Sequence, residues 1–96
     1  MLEKDIENEI KRWLTSNGVY WFKVHGSAFM PPGIPDIVAC INGYFVGIEV
    51  KNKGLLKHQS EQQKIHEELI KQAGGRYILA DSIETVQENL CDIIQY

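Results

Sequence analysis

Residues 35–51 read PDIVACINGYFVGIEVK, and this stretch decides the fold of the chain. Apolar residues fill both of its halves, and Asn42-Gly43 between them is a favoured pair for a two-residue hairpin turn. The stretch therefore predicts two antiparallel strands joined by a tight turn. Because side chains alternate across a strand, Glu49 and Lys51 should share one face of the second strand.

Charged residues stand at the same end of this predicted hairpin. Asp36 enters the first strand, while Glu49 and Lys51 lie toward the end of the second, so the three side chains should come together. Two carboxylates suit a divalent cation that prefers oxygen ligands, and an ammonium group beside them suits a phosphate. The stretch therefore predicts a metal-dependent phosphodiesterase site.

Each of these residues also has a purely structural explanation. An Asp after Pro at the start of a strand often satisfies backbone groups of a turn, which would account for Asp36. Glu49 stands between residues that look buried, where a carboxylate is costly unless it is paired or bound to metal. An ion pair with Lys51 would account for Glu49 alone, but the joint pattern favours the metal site.

The composition fits one domain over residues 1–96, since 44% hydrophobic residues are enough for a single core. No apolar run approaches the roughly 18 residues of a membrane span, and the first residues lack the basic-then-apolar order of a signal peptide. Cys40 and Cys91 have no metal-type spacing, so we expect two reduced, buried thiols in a cytoplasmic protein.

The net charge of −3 argues weakly against nucleic acid, whose binding proteins usually carry a basic surface. The placement of the charges softens this objection, because bound metal would neutralise acidic residues of the site. Lysines also cluster just after the start of the predicted site, at Lys51, Lys53, Lys57 and Lys64. Such a chain can present a basic site, although we expect no high affinity for ordinary duplex DNA.

The order of predicted elements is α-β-β-β-α-β-α, which corresponds to an α/β fold with a mixed central sheet flanked by helices. Helical spacing of apolar residues predicts the helices, and β-branched or aromatic runs predict the strands. In chain order the elements cover 3–16, 19–24, 36–41, 44–52, about 57–73, 76–80 and 82 to about 94. The loop over 25–34 is the longest irregular stretch.

Further candidates for the site lie on the helices. Glu7 borders the apolar stripe of the first helix and could point toward the sheet edge. Glu3 is the alternative, and an acid at either position also favours the helix dipole. Gln59 begins the second helix and could reach back over the carboxylate end of the sheet. A capping box formed by Ser60 and Gln63 is the structural alternative at that helix start.

Three segments of the chain resemble the signature of the VRR-NUC nucleases: Gly33-Ile34-Pro35-Asp36, Gly47-Ile48-Glu49-Val50-Lys51 and Leu56-Lys57-His58-Gln59. These nucleases belong to the PD-(D/E)xK superfamily, which includes archaeal Holliday junction resolvases and many restriction enzymes. The resemblance covers nearly the whole chain and implies a restriction-endonuclease-like core. It also implies a DNA endonuclease that depends on Mg²⁺ or Mn²⁺ and acts on branched DNA such as four-way junctions.

The resemblance implies roles for particular residues as well. The implied metal ligands are Glu7, Asp36, Glu49 and the carbonyl of Val50. Lys51 would position the attacking water and stabilise charge in the transition state. Gln59 would match the helix glutamine that contacts the site in these nucleases. One departure is Lys57, where many relatives carry a small residue before that glutamine.

The surface around the site and the assembly can be predicted as well, the assembly from the resemblance alone. Candidate DNA contacts are Lys23, His25, Ser27, Lys53 and Lys57. Small stand-alone relatives, often from phages or prophages, tend to be homodimers, which would set two sites against two strands of a junction. Candidates for an apolar interface are Trp13, Trp21, Phe29 and Met30, with core burial as the alternative for both tryptophans.

Other functions remain open at this point. One rival is a nuclease of a different preference, either a sequence-specific restriction type or an enzyme for flaps or plain duplex. Base reading would need an added module, and 96 residues leave little room for one. The second rival is a non-catalytic binding module on the same fold, whose expected mark is the loss of a motif residue. No membrane and no organic cofactor are expected.

Overall fold

The structure is a computed structural model that describes residues 2–94. Three helices and four strands follow one another in the order α-β-β-β-α-β-α, which confirms the predicted α/β class. They are α1 (Glu3–Ser16), β1 (Tyr20–Lys23), β2 (Ile37–Ile41), β3 (Tyr44–Val50), α2 (Glu61–Gln72), β4 (Arg76–Ala80) and α3 (Ile83–Leu90). A single 3-10 turn, Leu56–His58, precedes α2.

The sheet is mixed, with the strands in the order β1-β2-β3-β4. The first three strands pair antiparallel, while β4 pairs parallel to β3 after the crossover through α2. The predicted hairpin turn is present, since Asn42 (φ 50°) and Gly43 (φ 85°) both have the positive φ of a type I′ turn. The hairpin therefore has the register in which Ile37 faces Ile48 across the ladder.

One face of the sheet carries the hydrophobic core, which is closed by α1 and α3. The apolar stripe predicted for α1 is buried at Ile6, Ile10 and Leu14, because these positions recur at helical spacing. The strands supply Ile37, Ala39, Ile41, Val46, Ile48, Val50, Ile78 and Ala80. Helix α3 supplies Val86 and Leu90, and the residues after it supply Ile93 and Ile94. Alternation along β3 therefore sends Glu49 to the opposite face.

The opposite face of the sheet is only partly covered. Helix α2 packs against β4 on this side, and none of the residues of α2, all of which are described, is fully buried. The strands leave Tyr20 (72% exposed), Phe22 (48%) and Phe45 (46%) open to solvent. On α2, Ile65 and Leu69 are also more than half exposed. An apolar surface therefore adjoins the face that carries Glu49.

Two predicted helix boundaries differ from the structure. Helix α2 begins at Glu61 instead of near residue 57, because Gln59 has an extended backbone (φ −66°, ψ 127°) that interrupts the helix. Ser60 then starts the helix through the capping box with Gln63 that the sequence offered as an alternative. Helix α3 ends at Leu90, although the residues that follow it remain buried at 93 and 94.

The prediction of buried cysteines is wrong. Cys40 lies on the open face of β2 and Cys91 directly follows α3, and both are exposed. The two tryptophans, by contrast, are partly buried and pack against the core, and Trp21 Nε1 donates to Thr15 Oγ1 at 3.0 Å. No helix within residues 2–94 is long and apolar enough to cross a membrane.

Candidate active site

Asp36 is fixed by contacts to the strands on both of its sides. Its carbonyl accepts from the Val24 amide at 2.8 Å, which extends the β1–β2 ladder by one pair. Its side-chain Oδ2 accepts from the Val50 amide, also at 2.8 Å. The carboxylate is therefore held against the end of β3, as the predicted hairpin requires, and part of it remains accessible to solvent.

Glu49 is the one charged residue in the buried part of the described chain, with 5% of its surface exposed. Its Oε1 accepts a short hydrogen bond from Gln63 Nε2. Its Oε2 is buried and finds no hydrogen-bond partner among the described residues. Burial, followed by the negative charge of Asp36, raises the pKa of Glu49 to about 8, although the charge of Lys51 opposes the rise.

Two glycines let helix α2 pack closely against the loop before β2, beside these carboxylates. A Cβ on Gly47 would lie 2.8 Å from Pro35 Cγ and 3.2 Å from Ile70 Cδ1, so a larger residue there would push both away. Gly33 has φ +85°, and a Cβ on it would lie 2.5 Å from the backbone carbon of Gln62. Close packing at both points holds the first turn of α2 beside Glu49.

Glu7, and not the alternative Glu3, faces the site. Glu7 Oε1 accepts from Lys23 Nζ at 2.6 Å, and the same ammonium lies 3.8 Å from Asp36 Oδ1. Glu7 Oε2 pairs with Lys11 Nζ at 3.0 Å, one helical turn away. Burial alone would raise the pKa of Glu7, but the hydrogen bonds from both lysines outweigh it and lower the pKa. Glu3 is exposed at the start of α1.

The structure does not gather the three implied carboxylates into one ligand cluster. Among residues 2–94 no group of three histidine, cysteine or acidic side chains is arranged to hold a metal ion. The physical reason is that both oxygens of Glu7 are engaged by lysines. Asp36 and Glu49 nevertheless fit a divalent cation, because the buried Oε2 of Glu49 lacks a donor and carboxylate oxygen is the ligand such cations prefer.

The glutamine at the carboxylates is Gln63 and not the predicted Gln59. The Gln59 amide donates to Glu67 Oε1 at 2.9 Å and to the Tyr77 hydroxyl at 3.4 Å, so it braces α2 against β4. Burial raises the pKa of that hydroxyl to about 12. The sequence indicated Gln63 only as a capping partner of Ser60. That capping box sets the position of Gln63 at the start of α2.

Lys51 directly follows β3 and continues its pairing, since its amide donates to the Ala80 carbonyl at 2.8 Å. The side chain is partly exposed, and its charge acts on the pKa of Glu49 against the effect of burial. The alternation expected for the strand is therefore present, with Glu49 facing away from the core and Lys51 close to it. The Lys51 ammonium is therefore near enough to Glu49 for its charge to act on that carboxylate.

The predicted DNA contacts fall into different surroundings. Lys23 lies between Glu7 and Asp36 as described. His25 and Ser27 are exposed in the long loop, and Ser27 lines the same cleft as Asp36. Lys57 is exposed on the 3-10 turn, whereas Lys53 lines a separate concavity with Glu9, Asp81 and Glu84. The structure therefore brings Ser27 to the site but leaves Lys53 outside it.

Comparisons with known proteins agree with this architecture. No family model matches the sequence, and no curated protein matches it significantly. Among solved structures, one described as "VRR_NUC domain protein" superposes with a TM-score of 0.77 at 18% sequence identity. The match covers 97% of this chain and 88% of that chain. The chain therefore has the VRR-NUC fold, which confirms the predicted resemblance at the level of structure.

Proposed function

We propose that this protein is a metal-dependent nuclease that hydrolyses phosphodiester bonds of DNA. The observation that carries the proposal is Glu49, a carboxylate buried in β3 with one oxygen that has no donor and with Asp36 beside it. Such an arrangement is costly in a protein of this size unless the carboxylates serve a ligand. Shared fold with a VRR_NUC domain protein supports the same reading.

Asp36 and Glu49 would hold Mg²⁺ or Mn²⁺, with the carbonyl of Val50 as the further ligand that the resemblance implies. A cation bound there would lower the pKa of an attacking water and offset the charge of the scissile phosphate. Asp36 is oriented for this role by the Val50 amide, and Glu49 by Gln63. Residues that orient ligands in this way affect cation affinity without binding the cation themselves.

Lys51 would act on the phosphate. Its partly exposed side chain carries a charge that acts on Glu49, and that charge would stabilise the negative charge that develops on the phosphate during attack. Gln63 would act as a positioning residue, because its amide holds Glu49 in one orientation. The cleft that Ser27 and Asp36 both line would offer a path for the DNA backbone next to the reacting phosphate.

Branched DNA, such as a four-way junction, is the substrate we propose. The chain carries a net charge of −3, so long-range attraction to duplex phosphates is weak and recognition by shape is favoured. A homodimer would set two sites against two strands of one junction. The exposed, unbridged thiols of Cys40 and Cys91 support a reducing, cytoplasmic setting.

The partner surface we propose for this homodimer is the open sheet face with Tyr20, Phe22 and Phe45, and the occupant is a second copy of the chain. Tyr20 and Phe22 already form an edge-to-face pair with ring centroids 6.5 Å apart. Aromatic side chains bury about 150–250 Å² each. The three exposed rings would therefore form the apolar centre of an interface that buries about 800 Å² per partner. This surface differs from the predicted one, because both tryptophans pack against the core.

Cleavage of matched DNA substrates tests the activity. A labelled four-way junction, a flap and a linear duplex are incubated with Mg²⁺, Mn²⁺ or chelator. The proteins are wild type, Lys51→Ala and Lys64→Ala, the last being a control whose exposed ammonium pairs with Glu61 at 3.4 Å. We expect metal-dependent paired nicks in the junction, lowered by about 10²–10³-fold in Lys51→Ala and unchanged in Lys64→Ala.

Other outcomes separate the rivals. Cleavage of flaps or duplex with the same dependence on metal and Lys51 keeps the chemistry and overturns the proposed substrate. Binding of the junction without cleavage by any metal favours the non-catalytic module. Equal loss in Lys51→Ala and Lys64→Ala contradicts the role given to Lys51.

Sedimentation equilibrium tests the assembly. We expect a dimer for the wild type and a monomer for Tyr20→Asp, because a buried charge at the centre of the interface is unfavourable. Phe29→Asp is the matched control, since Phe29 is 97% exposed and belongs to the interface predicted from the sequence. A dimer that survives Tyr20→Asp but not Phe29→Asp would restore the sequence-based interface.

A further inference from the structure

Lys23, the last residue of β1, divides the acidic groups of the site. Its Nζ lies 2.6 Å from Glu7 Oε1 and 3.8 Å from Asp36 Oδ1, so one ammonium stands between two carboxylates that come from different elements. About a quarter of its side chain is exposed, at 26%. Lys11 occupies the other oxygen of Glu7 at 3.0 Å. Two lysines of the chain therefore neutralise the carboxylate of Glu7.

The other side of Asp36 is different. There the Val50 amide and Gln63 provide neutral donors, and Glu49 Oε2 is buried without any donor among the described residues. Among residues 2–94 no ammonium pairs directly with Glu49, on which Lys51 acts only through its charge, whereas the Lys23 ammonium already stands between Asp36 and Glu7. The three carboxylates form two unequal gaps, of which one is filled by an ammonium group.

We propose that the Lys23 ammonium takes the place of a second divalent cation, so that the site binds a single cation between Asp36 and Glu49. The inference rests on the proposed function, because it concerns the cation which that function requires. Two-metal sites hold their ions about 3.5–4 Å apart on shared carboxylates. The Lys23 ammonium, paired with Glu7, occupies the side of Asp36 on which a second ion would share that carboxylate.

Like charges repel strongly at such separations, above all in a partly desolvated site. A second divalent cation could enter only by displacing the ammonium from Glu7, whose Oε1 holds it at 2.6 Å. Lys23 consequently limits the number of cations while it keeps Glu7 in place. Glu7 contributes to the site as the anchor of Lys23 instead of as a metal ligand.

The number of Mn²⁺ ions bound per chain tests this inference without any activity measurement. Free Mn²⁺ is followed by electron paramagnetic resonance during titration of wild type, Lys23→Met, Lys23→Gln and Lys11→Met. Lys11→Met is the matched control, because it removes a charge from Glu7 without opening the place beside Asp36. We expect one ion for wild type and Lys11→Met and two ions for both Lys23 variants.

The outcomes separate the two proposals. Two ions on the wild type, or one ion on both folded Lys23 variants, overturns the inference and leaves the nuclease proposal standing. No ion on the wild type overturns the metal site of the proposed function together with the inference. Two ions on the wild type overturn the inference even if circular dichroism shows that one of the Lys23 variants does not fold.

Discussion

The side-chain amide of Gln63 joins the first turn of α2 to the carboxylate of Glu49. Its nitrogen donates to Glu49 Oε1, while its oxygen accepts from the Ser60 amide at 2.8 Å. Ser60 Oγ in turn accepts a hydrogen bond from the backbone N–H of Gln63 at 3.1 Å. One residue therefore completes a capping box and orients a buried acid.

Gln63→Leu keeps the size of the side chain but removes its hydrogen bonds. We expect cation affinity and cleavage to fall by about 10–100-fold, as is usual when a group that orients a ligand is lost. Ser60→Ala is the control, because it costs about 1 kcal/mol of helix capping but leaves the Gln63 amide free to hold Glu49. Calorimetric titration with Mn²⁺ and urea unfolding measure the two effects separately. Equal cation affinity in both variants would contradict the orienting role.

The sequence predicted the hairpin and the burial of Glu49 because both depend on local pattern. Alternation over 44–50 and the turn pair Asn42-Gly43 determine which side chains face the core. Both glutamines could have contacted the site on local pattern, and only the extended backbone at Gln59 assigns that contact to Gln63. Such a choice depends on how α2 packs, which no short stretch contains.

Lys23 and Cys40 show the same limit for the neighbouring strands. The pairing of Lys23 with Glu7 requires α1 and β1 to meet at one end of the sheet, and the sequence alone does not give that placement. Cys40 was predicted to be buried because its strand is apolar, but the face on which it lies is uncovered in a single chain. Tertiary contacts decide both cases. The roles of the site residues in binding metal and DNA stay predictions.

The pH dependence of stability follows from Glu49. Its pKa is about 8 in the folded chain against a usual value of 4.5, because of burial and then the charge of Asp36. Between these values the folded state holds a proton that the unfolded state has lost, so stability is greatest below pH 4.5 for this group and falls as the pH rises to 8. Urea unfolding with chelator should show this decline. Glu49→Gln should remove it, and an unchanged decline in that variant would assign the effect to another group.

A divalent cation should reverse that decline. Binding requires the ionised form of Glu49, so Mn²⁺ competes with the proton and stabilises the folded chain more strongly near pH 8 than near pH 4.5. At about 100 times the dissociation constant the gain is about 2.7 kcal/mol. Thermal unfolding with and without Mn²⁺ measures it at both pH values. Asp36→Asn should abolish the gain, while Lys64→Ala should keep it; a gain that persists in Asp36→Asn would place the cation elsewhere.

Gly47 makes the packing of α2 on the sheet possible, and its replacement tests how the site is held. In Gly47→Ala the new Cβ would meet Pro35 Cγ at 2.8 Å and Ile70 Cδ1 at 3.2 Å. The loop before β2 and helix α2 must therefore both move. We expect a loss of about 1–3 kcal/mol in the free energy of unfolding, as for other overpacked sites. Cation affinity should also fall, since moving α2 withdraws Gln63 from Glu49.

Gly26→Ala is the matched control for this substitution, because a Cβ at that position meets nothing within 4 Å. Its stability and cation affinity should remain those of the wild type. Urea unfolding and Mn²⁺ titration on the same preparations decide the matter. If Gly47→Ala loses stability but binds Mn²⁺ as tightly as the wild type, the helix does not hold the carboxylate, and Glu49 would owe its orientation to β3 alone.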